Sequence, residues 1–279
     1  MEALLSDAYY FFTADSQVLI LLACLLHAPL GHRWEDFVKE FFGAMALILM
    51  QFPAGKWFGR GAWWQAWLWH GVGVVGADWV AGGPNVNPSI ALCNVALGKL
   101  EYPAFLCRVS AGLAGSLVTF TLCRWIASEL QLEPLGGPSF DPAKESLGRA
   151  VGHEAMATFV LCMAVFLLNW ELPVRRFYLL KQGLTAVVVR FNLQTFTAAG
   201  CAMNPMLPTA YAVFKASEGE AKAYAFPSHA DHYLCYWGAS FAGGLLAALL
   251  YSLAKGLPFF GFCLRPVGTT AGAAKEKDA

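Results

Sequence analysis

The pair Asn-Pro occurs twice in this chain, as Asn87-Pro88-Ser89 and Asn204-Pro205-Met206, each time directly after a long apolar stretch. Inside a bilayer a polar Asn beside a Pro is tolerated where it lines a cavity or opens a helix that uses it. Two such sites in matching halves of one hydrophobic chain mark paired half-helices meeting at mid-membrane. Pro suits the first helical turn, where its missing N–H would be unpaired anyway, and Asn is a favoured cap before it. The pattern predicts a pore.

Composition agrees with a membrane setting. Of 279 residues 57% are hydrophobic and only 14% charged, with a mean hydropathy of +0.49, where a soluble domain carries about a quarter charged residues. A formal net charge of zero gives no support for a nucleic-acid partner. The eight Cys form no CxxC pair and no cluster with His, which argues against a disulfide framework or a zinc site. No metal and no cofactor is expected.

A spanning helix needs about 20 mostly apolar residues, which places helices at roughly 34–52, 62–81, 104–127, 149–170, 178–199 and 232–254. Two pieces too short to span, roughly 88–98 and 205–214, each open on an Asn-Pro and read as re-entrant half-helices. The expected fold is an all-α membrane protein: six transmembrane helices plus two half-helices in an inverted repeat, with an extra N-terminal apolar helix. That extra segment, Val18 to Pro29, lacks both a basic leader and a small-residue cleavage site, so a retained anchor or interfacial helix is preferred to a signal sequence. The halves repeat in a second way. Glu40 precedes Asn87 by 47 residues and Glu154 precedes Asn204 by 50. The expected organisation is an N-terminal apolar segment (1–33), a first half-repeat (34–132), a linker rich in Pro and Gly (133–148), a second half-repeat (149–256) and a cytosolic tail (257–279). Basic residues favour cytosolic ends, with Arg175-Arg176 the strongest marker.

These residues resemble the aquaporin, or major intrinsic protein, family over about Phe37 to Ser252. The resemblance rests on the Glu-bearing first and fourth helices, both Asn-Pro boxes, the small residues Ser110 to Gly115, and the run from Tyr236-Trp237-Gly238 to Gly243. Within the family the chain departs from the orthodox pattern. The third box residue, usually Ala, is Ser89 and Met206, and the Arg after the second box is replaced by Leu207. These departures are similar to the unorthodox intracellular branch, the superaquaporins. The tail Lys275-Glu276-Lys277-Asp278-Ala279 fits a KxKxx retrieval signal, pointing to the endoplasmic reticulum or another intracellular membrane; a short solvated basic tail is the other reading.

The resemblance implies a passive channel for water, with glycerol and hydrogen peroxide as further neutral candidates, embedded in lipid as a homotetramer. Half-helix N-termini facing each other oppose cations and protons. The amides of Asn87 and Asn204 are expected to donate to passing water, with carbonyls of 82–86 and 199–203 as acceptors. Alignment to the boxes puts the selectivity region at Trp67, Asn192, Cys201 and Leu207, a less polar constriction than usual. The resemblance also implies that Glu40 and Glu154 support the re-entrant loops by accepting backbone N–H bonds. Cys201 is read equally as a mercurial-sensitive position and as a packing thiol. Arg190, in the fifth helix, is read either as snorkelling or as pairing with a Glu.

Three other functions compete with a channel. An intramembrane enzyme has only His70, Asp78, His153 and Glu154 to draw on, with no HExxH pair and no aspartate dyad. A coupled transporter lacks an ion-binding cluster at the broken helices. A weakly or non-conducting structural or regulatory protein on the same scaffold is the alternative, because of Met206 and Leu207.

Overall fold

The computed structural model describes residues 30–54, 56–58, 60–82, 86–172, 177–217 and 230–263. Val18–Pro29, the Arg175-Arg176 loop and the KxKxx tail lie outside the described residues. The helices are α1 (Leu30–Gln51), α2 (Trp63–Ala81), α3 (Pro88–Ala96), α4 (Tyr102–Glu129), α5 (Leu147–Phe166), α6 (Tyr178–Thr195), α7 (Met206–Ser217) and α8 (Ala230–Lys255). α3 and α7 are the two short ones. At 1.5 Å per residue they reach only ~14 and ~18 Å, about half the hydrocarbon core. α4, α5 with its continuation to Glu171, and α8 are long and apolar enough to cross a membrane by length and composition alone.

Local chemistry sets the ends. Gln65 Oε1 accepts from the backbone N–H groups of Gly61 (3.0 Å) and Ala62 (3.2 Å) ahead of α2. Gly82, at φ 72°, turns the chain left-handed after it. Asn87 caps α3 by accepting from Ser89 N at 2.9 Å, with Pro88 in the first turn. Ser146 caps α5 by accepting from Arg149 N at 3.4 Å. Two stretches widen into π-helix: Leu167–Glu171 at the end of α5 and Tyr233–Gly238 near the start of α8. A two-stranded hairpin, β1 (Pro258–Phe259) and β2 (Phe262–Cys263), follows α8. Phe260 N bonds Ala96 O at 2.6 Å, so the hairpin closes the C-terminal end of α3.

The two halves pack alike. α1 lies against α4, and α5 against α8. Both pairs touch backbone to backbone. A Cβ on Gly115 would lie 2.3 Å from Phe41 O, and one on Gly243 would lie 2.0 Å from Ala155 O. Phe41 follows Glu40 and Ala155 follows Glu154, so the repeat read from the two acids is also a repeat of close contacts. Each half-helix then crosses over. α3, from the first half, packs on α8, and α7, from the second half, packs on α4. Two clusters of buried apolar side chains result, one around Ile90, Leu161, Phe166 and Tyr251, the other around Ile48, Phe120, Met206 and Phe214.

The linker is not a loose tether. Lys56 Nζ donates to Pro134 O (2.8 Å), Trp57 Nε1 to Glu133 O (2.8 Å) and Tyr211 Oη to Leu135 O (3.2 Å). It covers the face from which α5 descends, called the linker side below. Large apolar residues elsewhere face outward, among them Trp63, Trp79, Trp125 and Leu179. Outward aromatics near helix ends match a lipid-facing surface with an interfacial belt.

Candidate functional site

The two Asn-Pro boxes meet. Asn87 Nδ2 donates to Met203 O at 2.7 Å, and Asn204 Nδ2 donates to Val86 O at 2.8 Å. Each asparagine thus bonds the carbonyl just before the other one. Its Oδ1 caps its own half-helix, Asn87 through Ser89 N and Asn204 through Met206 N (3.3 Å). An amide NH₂ carries two protons, so each asparagine keeps one donor beyond these bonds.

That donor is placed beside a cavity of about 100 Å³ that both asparagines line, together with Leu207. At ~30 Å³ of liquid per water this is room for a few molecules. Its wall is mostly apolar, from Leu47, Val74, Ile90, Leu161, Val165 and Val189, with Gln51, Asp78, Gln182 and Thr185 as polar groups. Asp78 Oδ2 accepts from Tyr178 Oη at 2.7 Å. A larger hollow of about 460 Å³ lies on the linker side, between the linker, α7 and α8, with Asp141, Lys144, Glu145, Lys215 and His232 in its wall.

The second re-entrant loop, Ala198 to Asn204, is strained and clamped. Gly200, Cys201 and Met203 all have positive φ, at 76°, 44° and 55°, a conformation costing a non-glycine residue ~1–2 kcal/mol. Side chains hold it from several sides. Glu154 accepts from Ala202 N at 2.9 Å and from Met203 N at 2.5 Å, and Ser240 Oγ donates to the same carboxylate at 3.1 Å. Tyr236 Oη donates to Ala199 O at 2.7 Å. The π-helical stretch of α8 contains Tyr236 and Trp237, and Trp237 Nε1 reaches Thr209 on α7 at 2.9 Å.

The family model described as major intrinsic protein matches residues 31–251. The chain belongs to the major intrinsic protein family. Proteins of this family are channels rather than enzymes, and this chain is an integral membrane protein. Among solved structures it is similar to the aquaglyceroporin from Plasmodium falciparum, with a TM-score of 0.64 and 19% identity over 78% of this chain and 94% of that one. That likeness concerns the fold. No curated protein sequence matches the chain.

The sequence-predicted residues of this major intrinsic protein fall in different places. Asn87, Pro88, Ser89, Asn204, Pro205 and Met206 are buried together where the half-helices meet. Met206 Sδ lies 2.8 Å from where a Cβ on Gly112 would be, so this large side chain fills the space a glycine leaves. Of Trp67, Asn192, Cys201 and Leu207, only Leu207 lines the cavity. Asn192 Nδ2 turns to Ala157 O (2.9 Å) and Met203 Sδ (3.1 Å). Cys201 sits in the apolar cluster with Cys93, Cys162 and Leu161. Trp67 is half-buried on α2, its ring 6.0 Å from the Arg190 guanidinium carbon.

Glu154 bonds its loop as described. Glu40, 2% exposed, pairs with Arg108, with Nη1 to Oε2 at 3.2 Å, while Nη2 of the same guanidinium reaches Asp36 at 3.1 Å. Residues 83–85 of the loop it was expected to support lie outside the described residues. Three of the carbonyls read as acceptors, Val86, Ala199 and Met203, are each engaged by a side chain, which leaves one lone pair apiece. Asp78, Gln182 and Thr185 were missed as cavity residues. Their signal was present: Val74 and Asp78 on α2, and Gln182, Thr185 and Val189 on α6, repeat at helical spacing on one face.

Proposed function

We propose that the chain is a passive channel for water and small neutral solutes whose constriction is less polar than usual. One observation carries this reading: two amides, each with a spare donor, beside a narrow apolar cavity between half-helix N-termini. A neutral molecule losing its water partners in the apolar stretch finds replacement donors at the asparagines, whereas a cation meets two positive helix ends. Asn87, Pro88, Ser89, Asn204, Pro205 and Met206 form the pore boxes, Leu207 the apolar part of the constriction, and Glu154 the support of the second loop. Trp67, Asn192 and Cys201 belong to the shell around the constriction. The half-repeats correspond to residues 34–132 and 149–256.

Ser89, Met206 and Leu207 support placement with the superaquaporins, and the Lys275/Lys277 tail supports an intracellular membrane such as the endoplasmic reticulum. A homotetramer is the assembly expected for the family. The similar solved structure is described as an aquaglyceroporin, which keeps glycerol beside hydrogen peroxide among the solutes to test.

Stopped-flow shrinkage of proteoliposomes tests the proposal. Water permeability should exceed that of empty vesicles, with a low activation energy and no proton conductance. Permeability equal to empty vesicles would establish the second reading, a non-conducting scaffold, which Met206 and Leu207 favour. Uptake of glycerol and of hydrogen peroxide by the same vesicles ranks the solutes.

A further inference from the structure

Cavity-lining residues of α2 continue outward, toward the linker side, beyond the cavity itself. Val74, Ala77 and Asp78 line it. One turn further along the same helical face lies His70, and a turn beyond that lies Trp67. His70 is 4% exposed, and neither of its ring nitrogens has a hydrogen-bond partner among the described residues. An imidazole always presents at least one N–H, and burying it unpaired is costly.

The facing helix brings a charge to this level. α2 and α6 run antiparallel, with a Cβ on Gly71 lying 3.8 Å from the Ala186 Cβ. One turn outward this register sets Arg190 across from Trp67, the guanidinium carbon 6.0 Å from the indole ring. The Nε of Arg190 is buried with no hydrogen-bond partner among the described residues. Neither a Glu nor an Asp is paired with Arg190 among the described residues, so of the two readings of this arginine, pairing with a Glu finds no support there.

We infer that His70 lines the permeation path as the hydrogen-bonding group of the constriction, with Arg190 behind it as the fixed positive charge. This rests on the channel reading above and deepens it. Leu207 removes a guanidinium from the half-helix α7; α2 and α6 together return a polar group and a cation from the opposite wall. The path then selects small neutral molecules that both donate and accept hydrogen bonds, and it disfavours cations. His70 supplies the contact and Arg190 the field.

Two experiments on the full chain in proteoliposomes test this. In the first, His70→Cys is exposed to neutral methyl methanethiosulfonate, which reacts with thiols that meet water. Leu68→Cys and Val72→Cys, at outward-facing positions of the same helix, serve as controls against the native-cysteine background. His70→Cys should react at least tenfold faster than either control; reaction at the control rate overturns the inference. This readout does not depend on conduction. In the second, His70→Leu should lower water flux at least tenfold while His70→Asn restores most of it. Arg190→Leu should raise proton flux relative to water flux at least tenfold, and Arg190→Lys should not. If the unmodified chain conducts and His70→Leu conducts equally, the inference fails and the channel reading stands. If the unmodified chain does not conduct, the channel reading fails, and the labelling rate still decides whether His70 meets water.

Discussion

The two halves place a glutamate at the same point and neutralise it differently. Glu40, on α1, is matched by the guanidinium of Arg108 on α4, which Asp36 shares. Glu154, on α5, is matched by two backbone N–H groups of the loop and the hydroxyl of Ser240 on α8. In the repeat register set by Gly115 and Gly243, Arg108 corresponds to Tyr236 and Gly112 to Ser240. Tyr236 also reaches the loop, through Ala199 O. In the first half these positions staple two spanning helices; in the second they fix the backbone beside the cavity. The third box residues follow the same division, with bulky Met206 against Gly112 and small Ser89, whose carbonyl lies 3.5 Å from a Cβ position on Gly244. Among the described residues, the inverted repeat keeps where a buried acid sits, while the side chains that meet it differ: Arg108 in one half, Ser240 in the other.

The hardest blow to this comparison falls where the halves agree. Gly243→Leu drives a side chain into the Ala155 backbone, and Gly115→Leu does the same at Phe41. Both should abolish folded protein, read as loss of the monodisperse peak in detergent chromatography. If only one does, the halves are not equivalent in packing. Next comes the ion pair. Arg108→Met leaves Glu40 buried without its cation and should cost about 3–5 kcal/mol, measured by equilibrium unfolding in mixed micelles. Met206→Ala empties the space beside Gly112 and should cost about 2–5 kcal/mol, whereas Ser89→Ala, which removes a hydroxyl with no partner among the described residues, should cost nothing or stabilise slightly. Ser240→Ala, which removes one of three donors to Glu154, should cost about 1 kcal/mol. If Arg108→Met costs no more than Ser240→Ala, the proposed difference between the two acids disappears.

Much of this architecture was legible. Asn-Pro before a short apolar run encodes both the cap and the half-helix, so α3 and α7 were readable from chemistry local to them. The spanning helices followed from apolar length; α2, expected at roughly 62–81, runs Trp63–Ala81. α6 ends at Thr195, short of the expected 199, because the chain must turn back through the left-handed residues at Gly200, Cys201 and Met203. Nothing local announces that turn, since two of the three are not glycine. The π-helical stretches and the hairpin at Pro258–Cys263 were equally silent, depending on neighbours distant in sequence. The partner of Arg108 was silent for a related reason: its side chain is 13% exposed and faces Glu40, 68 residues away. At the site, spacing made the two Asn-Pro pairs legible but not the cavity wall: Asn192, on α6, is held by α5 and the loop, Cys201 sits in the apolar cluster around Leu161, and only a three-dimensional register reveals which side of α6 Asn192 occupies.

The reciprocal bonds from Asn87 to Met203 O and from Asn204 to Val86 O bear on how the chain matures. When a ribosome has delivered the first four helices, the carbonyl of Val86 has no amide to satisfy it and Asn87 has nothing to grip. That intermediate must wait, unfinished, in the lipid or beside the insertion machinery until α5 through α7 emerge. Final assembly is thus a late docking event rather than helix-by-helix growth, and the two halves, synthesised as separate polypeptides, should recombine into one body because each carries the missing clasp of the other.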